Sequence, residues 1–198
     1  MKPFGLTGNI GCGKSTVAGM LAKYDDVTHI DTDLVARAIM DGGGLRSAIN
    51  AALDCDAFAS GTIDRRLVAK IIFGDREKKE RLEAVVHPAV WAEVQAIADG
   101  LEAHRICLVE SAIIFEKGDE WRFSDVIVAV CGEEEEWRRL IVDRRMDPSD
   151  LKKRIAMQMP SAEKEKRAKY VISTDCDMAE LEKRAAQLHA ALKQSKGE

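Results

Sequence analysis

Near the start of the chain, Gly8-Asn9-Ile10-Gly11-Cys12-Gly13-Lys14-Ser15-Thr16 matches G-x-x-x-x-G-K-[ST], a phosphate-cradling loop that works only between a buried strand and a helix. The flanks meet that demand. Pro3-Phe4-Gly5-Leu6-Thr7 is short and apolar enough for a strand, and Ser15 to Lys23 carries Val17, Met20 and Leu21 at helical spacing. The glycines let successive N–H groups face inward at a helix N-terminus, where the macrodipole also favours an anion. Asn9, Ile10, Gly11, Cys12, Gly13, Lys14, Ser15 and Thr16 are therefore the expected contacts of a nucleoside triphosphate. Lys14 is expected to reach its β- and γ-phosphates, and Ser15 to supply a ligand to Mg2+.

Downstream, the pattern alternates. Val27-Thr28-His29-Ile30-Asp31 reads as a second strand, and Leu34 to Met40 as a helix ended by Gly42-Gly43-Gly44. From Leu45 to about Leu101 the chain is mostly helical, with Asp64 and Asp75 placed as N-caps and Pro88 expected to open a further helix. Ile106 to Val109 and Val126 to Val130 are β-branched runs suited to strands covered on both faces. Glu133 to Arg145 is expected to be a charged helix with Glu134–Arg138 and Glu135–Arg139 pairs, followed by a second from Asp147-Pro148-Ser149 through Gln158. Tyr170 to Ser173 is a last strand, and a helix capped near Asp177 runs to about Lys193, with fraying expected from Gln194. Strands alternating with helices imply an α/β fold, a doubly wound parallel five-stranded sheet whose ligands gather outside the strand carboxyl ends. The expected division is one domain: a core of about 1–44, 105–132 and 168–198, a helical insertion at about 45–104 and a helical lid at about 133–167.

The net charge of −4 and the pI near 5.7 argue against a nucleic-acid or membrane-surface partner, which would reward a basic face. Five scattered cysteines without a C-x-x-C pair indicate neither a disulfide framework nor a zinc site, which fits a reducing cytoplasm. No apolar run approaches the ~20 residues of a membrane span, and with the first strand reading from Pro3 no signal segment is expected.

Asp31-Thr32-Asp33 follows the second strand at the same edge as the loop. An Asp near a γ-phosphate can take the proton of an acceptor hydroxyl while another carboxylate holds magnesium through water. Asp33 is the expected base, and with Ser15 an expected metal-site residue. The competing reading is that either Asp simply caps the following helix. Among the arginines of the charged segment, Arg144 is the first choice for the phosphates, with Arg139 and Arg145 as alternatives and a solvated helix face as the other reading. His87, before Pro88, can meet an acceptor or cap a helix. Cys12, beside Lys14 and a helix N-terminus, is expected to be reactive and protected by ATP, or else a small filler.

Gly5-Leu6-Thr7-Gly8-Asn9-Ile10-Gly11-Cys12-Gly13-Lys14-Ser15-Thr16, Ile30-Asp31-Thr32-Asp33 with Arg37, Asp64-Arg65-Arg66-Leu67, His87-Pro88, Ala112-Ile113-Ile114-Phe115-Glu116, Arg154 to Met159 and Ala168 to Ile172 together resemble the dephospho-CoA kinases, over nearly all of residues 2 to 190. The resemblance departs at Ala112, where that family usually has proline, and at Ser173-Thr174-Asp175, which lacks a common asparagine. It implies a P-loop kinase with core, acceptor-binding helical region and lid, transferring the γ-phosphoryl of ATP to the ribose 3′-hydroxyl of dephospho-CoA. On it, Asp33, Lys14 and Arg144 are catalytic, Asp31, Asp33, Arg37, Arg65 and His87 face the acceptor, and a monomer is expected. The rival readings are a P-loop kinase of nucleoside monophosphates or of a shikimate-like alcohol, and a nucleotide-binding module without transfer. The long helical insertion speaks against shikimate, and the lack of an N-K-x-D motif against a GTPase.

Overall fold

The computed structural model describes residues 1–143 and 145–197. It divides into two compact units, Met1–Ile30 with Leu101–Glu198, and Asp31–Gly100.

The first unit is built on a five-stranded parallel sheet in the order β2-β3-β1-β4-β5, from β1 (Phe4–Thr7), β2 (Val27–Asp31), β3 (Ile106–Glu110), β4 (Val126–Val130) and β5 (Tyr170–Ser173). Parallel strands need crossovers, and their helices cover both faces, which is why β1, β3 and β4 are nearly all apolar and buried. On one face, α1 (Lys14–Leu21) and α9 (Met178–Gly197) bury Val17, Leu21, Leu181, Ala185 and Leu192 against Leu6, Leu108, Ile127 and Ala129. On the other, a Cβ placed on Gly5 would meet Ile114 at 2.9 Å and Phe123 at 3.0 Å, so the glycine lets those side chains sit directly on the strand. β1 thus sends its chain to one face and β3 sends its chain to the other. The carboxyl ends of these neighbours form the switch point at which α/β sheets place ligands.

After β4 come α6 (Glu133–Trp137), a π-helical turn (Arg138–Asp143), α7 (Pro148–Ala156) and α8 (Ser161–Arg167). The continuous helix expected over Glu133 to Arg145 is therefore interrupted. The wider turn changes the side-chain spacing: Glu135 pairs with Arg139 at 2.7 Å as expected, but Arg138 turns to Glu135 at 2.7 Å and Asp143 at 3.2 Å in place of Glu134. α7 ends at Ala156, two residues before the expected Gln158, and α9 continues past Gln194 to Gly197.

The second unit holds α2 (Thr32–Asp41), α3 (Arg46–Leu53), α4 (Arg65–Gly74) and α5 (Arg76–Gly100). Local capping chemistry reads through directly, since Asp64 accepts from the Arg66 and Leu67 amides at 3.0 Å each. Pro88 does not open a helix; it lies inside the 25-residue α5. Its ring removes one backbone donor, yet Leu82, Val86, Val90, Val94 and Ala98 continue one buried stripe through it, and the packing of α2, α3 and α4 on α5 outweighs the lost bond. No helix among the described residues is long and apolar enough to cross a membrane, and all five cysteines are free thiols.

Candidate functional site

The loop between β1 and α1 has the backbone its glycines permit. Gly8, Gly11 and Gly13 have φ of 149°, 83° and 76°, and Gly13 stands as the left-handed N-cap of α1. At Gly8 the need is also steric, because an added Cβ would lie 2.3 Å from the carbonyl oxygen of Ala129 on β4. The first amides of α1 have no partner one turn earlier in the helix, which is the arrangement that suits an anion, although the Thr16 amide already donates to the Gly13 carbonyl at 3.1 Å. Lys14 folds back over the loop, its Nζ donating to the carbonyl oxygens of Gly8 at 2.9 Å and Asn9 at 3.0 Å. The Ile10 amide donates to Oε1 of Gln158, from the segment after α7, at 3.0 Å. Asn9 is buried and Ile10 half-buried, while Ser15 and Thr16 are exposed at the mouth.

β3 ends in a residue the sequence reading did not assign. Glu110, 6% exposed, accepts from the Ser15 hydroxyl at 2.7 Å and lies 3.1 Å from Nε2 of His29 on β2. Burial by itself would raise its pKa, but the hydrogen bonds from His29 and Ser15, with the charges of His29 and Lys14, outweigh it and leave the carboxylate below its usual range. The sequence signal was an apolar run, Ile106 to Val109, ending in an acid downstream of a phosphate loop, the pattern by which such proteins hold magnesium.

The other side of the loop is held from the π-helical turn. Arg139 donates from Nη1 to the Gly11 carbonyl at 3.2 Å and to Thr174 Oγ1 at 2.9 Å, and from Nη2 to the Thr174 carbonyl at 2.7 Å. The Thr174 hydroxyl in turn donates to the Cys12 carbonyl at 3.0 Å. Glu135 anchors this arginine; hydrogen bonds from Arg138 and Arg139 pull its carboxyl down to about 2. Arg139 therefore grips the nucleotide loop itself. Arg145 is exposed with φ of 51°, and Arg144 lies outside the described residues.

Cys12 does not look into the cradle. It is 1% exposed, with its sulfur 3.5 Å from that of Cys131 at the end of β4.

In the second unit, Asp31 is the N-cap of α2, accepting from the amides of Asp33 at 2.8 Å and Leu34 at 3.2 Å. The capping role thus falls to Asp31, and Asp33 stands exposed in the first turn. Arg37 and Arg65 are brought together: Arg65 donates to Asp41 at 2.8 Å and to the Arg37 carbonyl at 3.4 Å. His87 is half-buried on α5.

Comparison with known proteins supplies the family context. The model of the dephospho-CoA kinase family (CoaE) matches residues 3–180. A dephospho-CoA kinase of Aquifex aeolicus is 32% identical over 198 residues, covering 97% of this chain and 98% of its own. One of Geobacter sulfurreducens is 34% identical over 194 residues, with 96% and 98% covered. Among solved structures, TT1252 from Thermus thermophilus superposes with a TM-score of 0.84 at 32% identity, covering 96% of this chain and 98% of that one. A shikimate kinase of Bacteroides thetaiotaomicron shares the fold, with a TM-score of 0.55 at 16% identity and coverage of 96% and 98%.

Proposed function

The chain belongs to the dephospho-CoA kinase family, and from that membership we infer that it transfers the γ-phosphoryl group of ATP to the ribose 3′-hydroxyl of dephospho-CoA, giving CoA in the last step of its synthesis. The observation that carries the reading is the phosphate loop, with its three left-handed or extended glycines and Lys14 folded across Gly8 and Asn9.

In the proposed reaction, the loop amides from Asn9 to Thr16 bind the phosphates of ATP. Lys14 leaves its carbonyl partners for the β- and γ-oxygens and stabilises the charge that builds on them in the transition state. Asp33 accepts the proton of the 3′-hydroxyl as the new P–O bond forms and the bond to the β-phosphate oxygen breaks, releasing ADP. Arg37, Arg65 and His87 bind the acceptor, Asp31 holds the start of α2 that carries Asp33, and Arg144 is a phosphate contact. The hydroxyl of Ser15 beside the Glu110 carboxylate is a hard oxygen pair that fits Mg2+, and Ser15, Glu110 and Asp33 are the residues proposed to hold it. When bound, Mg2+ neutralises charge on the phosphate oxygens. The helical region 45–104 is proposed to receive the acceptor and 133–167 to serve as the lid. We also propose that the protein works as a cytoplasmic monomer, without nucleic-acid or membrane partners.

The test is ADP release with magnesium and ATP on adding dephospho-CoA, with AMP, CMP and shikimate in parallel and Lys14→Ala as the blank. A product with the mass of CoA, formed only with dephospho-CoA, is expected. Turnover with another acceptor instead would overturn the substrate assignment, and binding without turnover would make the chain a nucleotide-binding module.

A further inference from the structure

Beneath the phosphate loop, two thiols from positions 119 residues apart meet: Sγ of Cys131 donates toward Sγ of Cys12 at 3.5 Å. We propose that Cys12 and Cys131 form a reversible oxidation site, at which a peroxide joins them in a disulfide that ties the loop to the end of β4 and blocks nucleotide turnover.

The chemistry is arranged for this pair. The Cys131 hydrogen bond pulls the Cys12 thiol down to about 7, against burial and the nearby Glu136, with Lys14 acting in the same direction. Cys131, which holds the shared proton, is pushed up. Cys107 shows the contrast, since burial pushes it up to about 11 and leaves it an inert core thiol. Cys131 is half-buried, so a peroxide, little larger than water, has a route to the pair. The Cys12 thiolate attacks one peroxide oxygen, the O–O bond breaks, and hydroxide leaves and is protonated to water. Cys12 is then a sulfenic acid. Cys131 gives up its proton and attacks the Cys12 sulfur, the S–O bond breaks, and a second water leaves. Two thiols have lost two electrons and the peroxide has gained two.

Closing the bond brings sulfurs 3.5 Å apart to about 2.05 Å. The loop has little slack to absorb this. A Cβ on Gly8 would lie 2.3 Å from Ala129 O and one on Gly11 2.9 Å from Leu140, so neighbours already press on it from β4 and from the π-helical turn. Displacement of Cys12 therefore passes to the amides that cradle the phosphates. A misplacement of about 1 Å in a positioned group can lower turnover on the order of 10²-fold. By linkage, bound nucleotide disfavours the disulfide as much as the disulfide disfavours nucleotide. The effect on turnover rests on the function inferred above; the disulfide itself does not.

The experiment treats the full chain with hydrogen peroxide, with and without magnesium-ATP, and reads kinase turnover beside mass spectrometry of a non-reducing digest. Expected are a Cys12–Cys131 linked peptide two hydrogens lighter than its thiols, turnover down by on the order of 10²-fold, recovery with dithiothreitol, and slower linkage with magnesium-ATP. Cys131→Ser and Cys131→Ala should keep turnover before treatment and give no linked peptide. Absence of that peptide from the oxidised protein, accumulation of Cys12 only as sulfenic or sulfinic acid, or full turnover with the disulfide formed would each overturn the proposal. Should one variant fail to fold, the reversal by dithiothreitol in the unaltered chain still decides it. If the untreated protein transfers no phosphoryl group, the functional reading fails, while the peptide map still judges the disulfide.

Discussion

Lys164 on α8 is fully buried, with its Nζ 2.8 Å from Glu116 Oε1 and 3.3 Å from the Ala112 carbonyl. Glu116 also accepts from the Met159 amide at 2.9 Å, so this single carboxylate neutralises an interior cation and pins the segment between α7 and α8. Replacing Glu116 by Leu removes the ammonium's ion-pair partner and leaves it the Ala112 carbonyl as hydrogen-bond acceptor, with the charge of Glu136 acting through space. Breaking a buried pair in this way costs about 3–5 kcal/mol. For a chain of this size each kcal/mol lowers Tm by about 2–4 °C, giving an expected loss of about 6–20 °C. Lys164→Met should cost less, because the carboxylate left behind keeps the Met159 amide and is 13% exposed. The double variant, in which both charges leave together, is expected within about 2 kcal/mol of the unaltered protein, since paired apolar replacement is often neutral. The assay is thermal and urea unfolding of all four proteins by circular dichroism, read as a double-mutant cycle. A Glu116→Leu loss below about 1 kcal/mol, or a double variant as unstable as the sum of the singles, would refute the buried-charge reasoning.

Gly8→Ala puts a methyl 2.3 Å from the Ala129 carbonyl at a φ of 149°, so it should abolish binding of a fluorescent ATP analogue while Gly19→Ala, where the methyl meets open space, leaves binding intact. Glu110 has a lowered folded-state pKa, so its stabilising contribution is fully present above the unfolded carboxylate value of about 4.3 and is lost as pH falls through the lower folded value. Urea unfolding across pH 2 to 6 should therefore show a steeper acid decline in the unaltered protein than in Glu110→Gln; equal slopes would count against this charge arrangement.

The two charged segments around the loop bear on how the enzyme handles nucleotide. Arg139 and Gln158 both lie in the region proposed as the lid, yet they bond the loop itself, at the Gly11 carbonyl and the Ile10 amide. On the proposed reading, a phosphate held by the Ile10 amide would compete with Gln158 for that one donor, whereas the bond from Arg139 to the Gly11 carbonyl takes up no loop donor. If the loop binds ATP as proposed, the first contact is the one displaced and the second the one left in place.

What the sequence determined by itself rests on interactions spanning a few residues. The strand–loop–helix unit around Gly8 to Thr16, the N-cap of Asp64 and the five short strand segments all follow from neighbours within about one turn or one strand, where propensity and periodicity act. Even the ambiguity at Asp31 and Asp33 was local, and helix geometry gave the cap to Asp31. Tertiary structure alone decided the rest. Pro88 reads as a helix start until the stripe from Leu82 to Ala98 is buried against α2, α3 and α4. The spacing points Arg138 to Glu134, but the π-helical turn, which a pattern of charges does not reveal, turns it to Glu135. Glu110 meets Ser15 only because the sheet order sets β3 beside β1, and Cys12 meets Cys131 only because β4 lies on the other side. Such contacts join residues about 95 to 162 positions apart, from Ser15–Glu110 to Cys12–Thr174. No local preference encodes them, because they depend on which strands pair and which face each crossover takes.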